Sequence, residues 1–77
     1  MHSNVQVRVT VGSRVRLGDA DGVEEYVIAL APEADPAAGR LSADSPLGRA
    51  VLGHHAGERL RVRTPGGVRQ VYVLDIR

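Results

Sequence analysis

Few residues in this sequence are equipped to do chemistry, and their spacing serves none of the common reactions. Asp19 and Asp21 stand two apart in Gly18-Asp19-Ala20-Asp21-Gly22, as the first ligands of a calcium loop do. The fifth and twelfth positions of such a loop would fall on Val23 and Leu30, which offer no side-chain oxygen. A hairpin loop accounts for both aspartates. His54 and His55 are adjacent, so their rings diverge in a strand and splay on a helix. They lack the spacing of a zinc pair, and no cysteine assists them; an exposed loop after a helix is the reading. Ser45 sits in Asp44-Ser45-Pro46, not in a strained Gly-x-Ser-x-Gly elbow. Gly66-Gly67 is no phosphate cradle, because the chain has no lysine and no helix pattern follows. Glu33 and Asp35 share a proline-rich loop, which supplies no contrast of environment to drive two carboxyl pKa values apart. Their expected role is structural or a contact. No catalytic residue, metal site, cofactor or small-molecule substrate is expected, and the chain is not read as an enzyme.

The arginines carry more information. Arg59, Arg61 and Arg63 alternate with Leu60, Val62 and Thr64, so a strand would aim all three to one side. Arg8, Arg14 and Arg16 are candidates to lie nearby. Such a stripe suits phosphates or an acidic protein surface. The competing reading is a solvated face paired with Glu24, Glu25 and Glu58. The formal charge is only +1, and Tyr26 and Tyr72 are the only aromatics for base stacking, which limits any nucleic-acid contact to a weak one.

The elements that would hold these residues are strands. The 77 residues form one domain, 43% apolar and without cysteine, so a compact core must supply the stability. Twelve valines make strands the favoured element. Val5–Val11 alternates without a fault, Arg14–Leu17 follows, and the loop from Gly18 to Gly22 turns the chain into Val23–Leu30. Prolines and a glycine mark a loop from Ala31 to Gly39, and Leu41 begins a brief extended piece. Ser45 is suited to cap a helix and Pro46 to start it, with Leu47, Ala50 and Val51 on one face and Gly53 to end it. The helix should span about residues 46–52. Leu60–Thr64 and Val68–Ile76 form a last hairpin around Thr64-Pro65-Gly66-Gly67. No apolar run reaches the roughly 18 residues of a membrane span, and no signal-peptide core is visible; a soluble, cytoplasmic protein is expected. The longest stretch free of Gly and Pro is Met1–Val11, which is strand-patterned, so the sequence holds no coiled coil.

Glu33-Ala34-Asp35-Pro36, then Leu41-Ser42-Ala43-Asp44-Ser45-Pro46-Leu47-Gly48-Arg49-Ala50-Val51-Leu52-Gly53, then Gly57-Glu58 and Thr64-Pro65-Gly66-Gly67 make a specific combination. It resembles the C-terminal domain of the GreA/GreB transcript-cleavage factors, over about residues 11–76. The resemblance implies an FKBP-like α+β fold, a curved antiparallel sheet with one short helix. It also implies docking on RNA polymerase at the rim of the secondary channel, with Asp44, Ser45 and Pro46 as contact residues and Leu47 and Gly48 beside them. Family members hold the catalytic metal at the tip of an N-terminal coiled coil, and this sequence has no such segment. Cleavage by this chain alone is not expected; it is either a stand-alone relative or part of a longer protein. Two other readings follow from the resemblance: a regulator that binds another protein, as the nucleoside diphosphate kinase regulators sharing this domain do, and a peptidyl-prolyl isomerase. Against the isomerase, two tyrosines are too few to line a proline pocket.

Overall fold

A computed structural model of the chain describes residues 7–77. Five strands, β1 (Arg14–Asp19), β2 (Gly22–Ala29), β3 (Arg40–Ser42), β4 (Arg59–Thr64) and β5 (Gly67–Ile76), form one curled sheet in the order β3-β2-β1-β5-β4. One helix, α1 (Pro46–Val51), packs against β4 and β3. The architecture is the α+β, FKBP-like half-barrel that the resemblance implied.

Alternation decides which side of the sheet is dry. Val15 and Leu17 on β1, Val62 on β4, and Val71 and Val73 on β5 point inward, and Ile28, Leu41, Val51 and Val9 complete the core. Helix α1 covers this inner face through Val51, with Leu47 and Ala50 half-buried beside it. Six residues of helix are too few to hold alone. The helix stands because its apolar side is buried and both ends are tied. Gly53, at φ +82, takes the left-handed conformation that lets the chain leave the helix.

The structure departs from the sequence reading in three places. The sheet is mixed, not wholly antiparallel: β3 runs parallel to β2, with Val27 opposite Arg40 and Ala29 opposite Ser42. A parallel neighbour needs a crossover and not a tight turn, and the proline-rich segment between the two strands supplies it with two short 3-10 turns, Ala31–Glu33 and Pro36–Ala38. The first hairpin is tighter than expected, because Asp19 and Gly22 already pair across it and the Asp19 carboxylate accepts the Asp21 N–H at 2.8 Å.

The third departure is the expected first strand. Val5 and Gln6 lie outside the described residues, and from Val7 to Val11 there is only an isolated bridge, between Arg8 and His55. Val9 does point into the core, but Val7 and Val11 do not. The backbone of Val9 is claimed by the loop after α1: its N–H donates to the His54 carbonyl at 3.0 Å and its carbonyl accepts the Gly53 N–H at 2.8 Å. Tertiary hydrogen bonding overrode the local alternation.

Candidate docking site

The loop into α1 is built from two serines three residues apart. Ser45 Oγ donates to the Ser42 carbonyl at 2.7 Å and accepts the Gly48 N–H at 3.0 Å. Ser42 Oγ accepts the Asp44 N–H at 3.0 Å. The Ser45 N–H also reaches the Ser42 carbonyl, at 3.1 Å. One side chain thus caps the helix and closes the turn before it, which satisfies donors that a helix start leaves open. Pro46 occupies the first helical turn, where a missing N–H costs nothing.

The same knot explains Gly48. A Cβ on that residue would lie 2.0 Å from the Ser42 carbonyl oxygen, so only glycine lets the helix approach the turn this closely. What the loop presents is therefore specific. Asp44 and Pro46 are exposed, Ser45 and Leu47 are half-buried, and Gly48 is buried. Of the five residues assigned to the contact, Asp44 and Pro46 are offered outward by a rigid frame. Leu47 spends part of its surface on the core, and Gly48 shapes the loop from within.

The loop that follows α1 is held by Glu58. One carboxylate oxygen lies 3.0 Å from His54 Nδ1; the other accepts the His55 N–H and lies 3.2 Å from His55 Nδ1. The histidine hydrogen bonds, with that backbone N–H, hold the Glu58 carboxyl at about 2, well below the ordinary range. The expectation of an exposed histidine loop needs correcting: both residues are half-buried and engaged. The Glu33–Asp35 loop is likewise structural. Asp35 and Arg40 exchange backbone bonds at 2.8 and 2.9 Å, while the Arg40 side chain donates to the Glu33 carbonyl at 2.9 Å.

Arg59, Arg61 and Arg63 lie where the sequence put them, on the outer side of β4, facing Tyr72, Gln70 and Val68 of β5. Arg14 and Arg16 share that side from β1, and Arg8 lies apart, beside His55. Of the three carboxylates expected to neutralise the stripe, only Glu25 shares its side, directly opposite Arg16. Glu58 serves the histidines, Glu24 accepts the Tyr26 hydroxyl at 2.8 Å, and Glu25 meets Arg14 at 3.8 Å. Asp19 pairs with Arg69, and its carboxyl is held low, first by the Asp21 N–H and then by that arginine. Among the described residues no group of three or more His, Asp or Glu is gathered as a metal site. Tyr26 points inward opposite Val15 and Tyr72 outward opposite Arg59, so the two aromatic rings of the chain cannot line one pocket.

A serine-knotted loop that turns an acid and a proline outward thus stands on a curled five-stranded sheet with one short helix. The family described as "Transcription elongation factor, GreA/GreB, C-term" matches residues 4–77. The transcription elongation factor GreA of Chloroflexus aurantiacus is 45% identical over 76 residues, covering 97% of this chain and 48% of that protein. GreA of Thermomicrobium roseum is 44% identical over 68 residues, covering 88% and 44%. The crystal structure of GreA factor homolog 1 (Gfh1) of Thermus thermophilus superposes with a TM-score of 0.79 at 28% identity, over 100% of this chain and 53% of that one. The chain belongs to the GreA/GreB family and corresponds to its C-terminal domain. It spans about half the length of the relatives it matches.

Two features of the site escaped the sequence reading. Ser42 carries no role of its own in the sequence analysis, although its spacing of three from Ser45 is a turn signal. Glu58, assigned to the arginines, follows His54 by four residues and His55 by three, close enough for one carboxylate to take both.

Proposed function

We propose that this chain is an RNA polymerase-binding module of a Gre-type elongation factor or a stand-alone relative, docking near the secondary channel and modulating elongation without cleavage activity of its own. The observation that carries this reading is the Ser42–Gly48 knot, which holds Asp44 and Pro46 outward on a frame fixed before any partner arrives. Pre-organisation matters because loop ordering on binding costs about 0.5–1.5 kcal/mol per immobilised side chain. Asp44 supplies a charge for a basic helical partner, and Pro46 with the exposed part of Leu47 supplies a small apolar seat. Family membership supports the choice of partner.

The test is binding of the purified chain to core RNA polymerase, with and without a complete Gre factor as competitor. Wild type should bind and be displaced. Asp44→Arg should weaken binding by about tenfold or more, because like charges would face each other, while its circular dichroism stays unchanged. Normal binding by that variant would remove the proposed contact surface.

A further inference from the structure

Among the described residues no element covers the outer side of the sheet, and its side chains are not those of an idle surface. Val23, Gly18, Tyr72 and Arg59 are directly opposite one another in successive strands β2, β1, β5 and β4. They form one row of about 14 Å across the sheet, at about 4.8 Å per strand. The register shifts where Arg16 faces Asp75 and Leu17 faces Val73, which leaves Leu74 as the extra residue on β5; it lies over Gly18, where a Cβ would sit 3.1 Å from Leu74 Cδ1. The result is an apolar strip of Val23, Leu74 and Tyr72, exposed by 52%, 46% and 42%. Isolated exposed apolar residues need no explanation, but a contiguous strip does.

Arginines border the strip. Arg59 closes one end of the row, Arg61 and Arg63 extend it along β4, and Arg16 lies on β1. Two carboxylates share this side, both directly opposite Arg16: Glu25, which meets Arg14 at 3.8 Å, and Asp75, which meets Arg77 at 3.2 Å. Among the described residues, Arg16, Arg59, Arg61 and Arg63 enter no ion pair. The domain is close to neutral overall, so the positive charge is a property of this side.

We propose that this side is a second docking surface, whose occupant is an acidic protein segment with an apolar face. Its apolar side chains would rest on Val23, Leu74 and Tyr72, and its carboxylates would meet Arg59 and Arg61. A tyrosine and arginines around an apolar centre match the composition of protein interfaces. A second copy of this chain does not fit, because two such sides would set arginine against arginine. A nucleic acid fits less well, because the strip has two aliphatic side chains and one aromatic ring where base stacking asks for several rings. The surface is separate from the Asp44 loop and does not depend on the polymerase reading.

The experiment is an amide NMR titration of the whole chain with three probes. They are a short peptide alternating acidic pairs with Leu and Phe, an all-Glu peptide of equal length, and oligothymidylate. The expected result is saturable shifts at Gly18, Val23, Tyr72 and Leu74 with the first peptide. The apparent Kd should rise about tenfold in Arg59→Glu/Arg61→Glu, and also in Tyr72→Ala, a change to the apolar strip alone. All three side chains are exposed, so the fold should survive, as circular dichroism would verify. Equal binding of the all-Glu peptide would remove the apolar seat and with it the proposal. Tighter binding of oligothymidylate would replace the protein partner with a nucleic acid. Absence of shifts with every probe would leave a solvated face.

Discussion

The two surfaces of this domain are held in shape by different means. The α1 end, from Ser42 to Glu58, depends on side chains that bond to backbone: Ser42 to Asp44, Ser45 to Ser42 and Gly48, Glu58 to His55. The β1–β5–β4 side depends on a backbone ladder, with side chains free to point outward. The first is a shape made by particular residues and lost with any of them. The second tolerates change in the side chains it displays, because few of them hold it up. A surface that must present one acid in one place gains from the first construction. A broad charged strip gains from the second.

Glycine-to-alanine replacement separates the two most sharply at Gly48. The new methyl group would lie 2.0 Å from the Ser42 carbonyl oxygen. That obstacle is backbone, already fixed by hydrogen bonds from Ser45, and it cannot rotate away. Gly48→Ala should destabilise the domain by about 3 kcal/mol, at the upper end of what overpacking usually costs, as read from urea denaturation. It should also shift the Asp44 and Ser45 amide resonances more than those of β5. A stable Gly48→Ala with unshifted loop resonances would mean that the knot is not rigid.

That contrast also explains what was legible in the sequence. Periodicity revealed the ladder: β1, β2 and the β4–β5 hairpin fall within two residues of their expected places, and Arg59, Arg61 and Arg63 share the side that alternation assigned them. Helix α1 was legible because capping is local, written in Ser45 and Pro46. What escaped was set by distant partners. The Val5–Val11 alternation indicated a strand, yet Val9 bonds to the loop at Gly53 and His54. The orientation of β3 was hidden because a short extended segment carries no mark of the direction of its neighbour. Glu58 was assigned to the arginines, and the turn at Ala56 and Gly57 brings it to the histidines instead. The loop resemblance named the residues of the knot, but burial showed that Gly48 acts from inside and only Asp44 and Pro46 face fully outward.

The α1 end should also have an acid response of its own, through Glu58. Glu58 has a folded-state pKa of about 2 against an ordinary value of 4.5. A depressed carboxyl pKa contributes stability that is complete above the ordinary value and fades as pH falls toward the folded one. The Glu58 contribution is therefore present above about pH 4.5 and lost between there and about pH 2. Asp19 is also held low and acts in the same direction, so wild type alone cannot isolate the effect. Comparison with Glu58→Gln does. The urea midpoint of wild type should fall more steeply across this window than that of the variant, with amide exchange from Leu52 to Glu58 rising first. Parallel pH profiles would show that the carboxylate does not hold the loop.

Gly18 gives the smallest expected effect and the most direct check on the sheet side. A Cβ there would approach Leu74 Cδ1 to 3.1 Å, which is tight, but the neighbour is the end of a flexible side chain that is 46% exposed. Leu74 can swing outward by a few tenths of an ångström at little cost, and alanine in a strand loses less backbone freedom on folding than glycine does. The two terms oppose each other, so Gly18→Ala should change stability by no more than about 0.5 kcal/mol. The leucine methyl resonances should nevertheless move, because the side chain must. If Gly18→Ala proved as costly as Gly48→Ala, Leu74 would be fixed in place and the sheet side would be as rigid as the knot. An acidic partner would then meet a preformed apolar strip, and Leu74→Ala should weaken it as much as Tyr72→Ala does. A small effect would instead make Leu74 the adjustable part of that strip, with Tyr72 and Arg59 the residues that a partner must match.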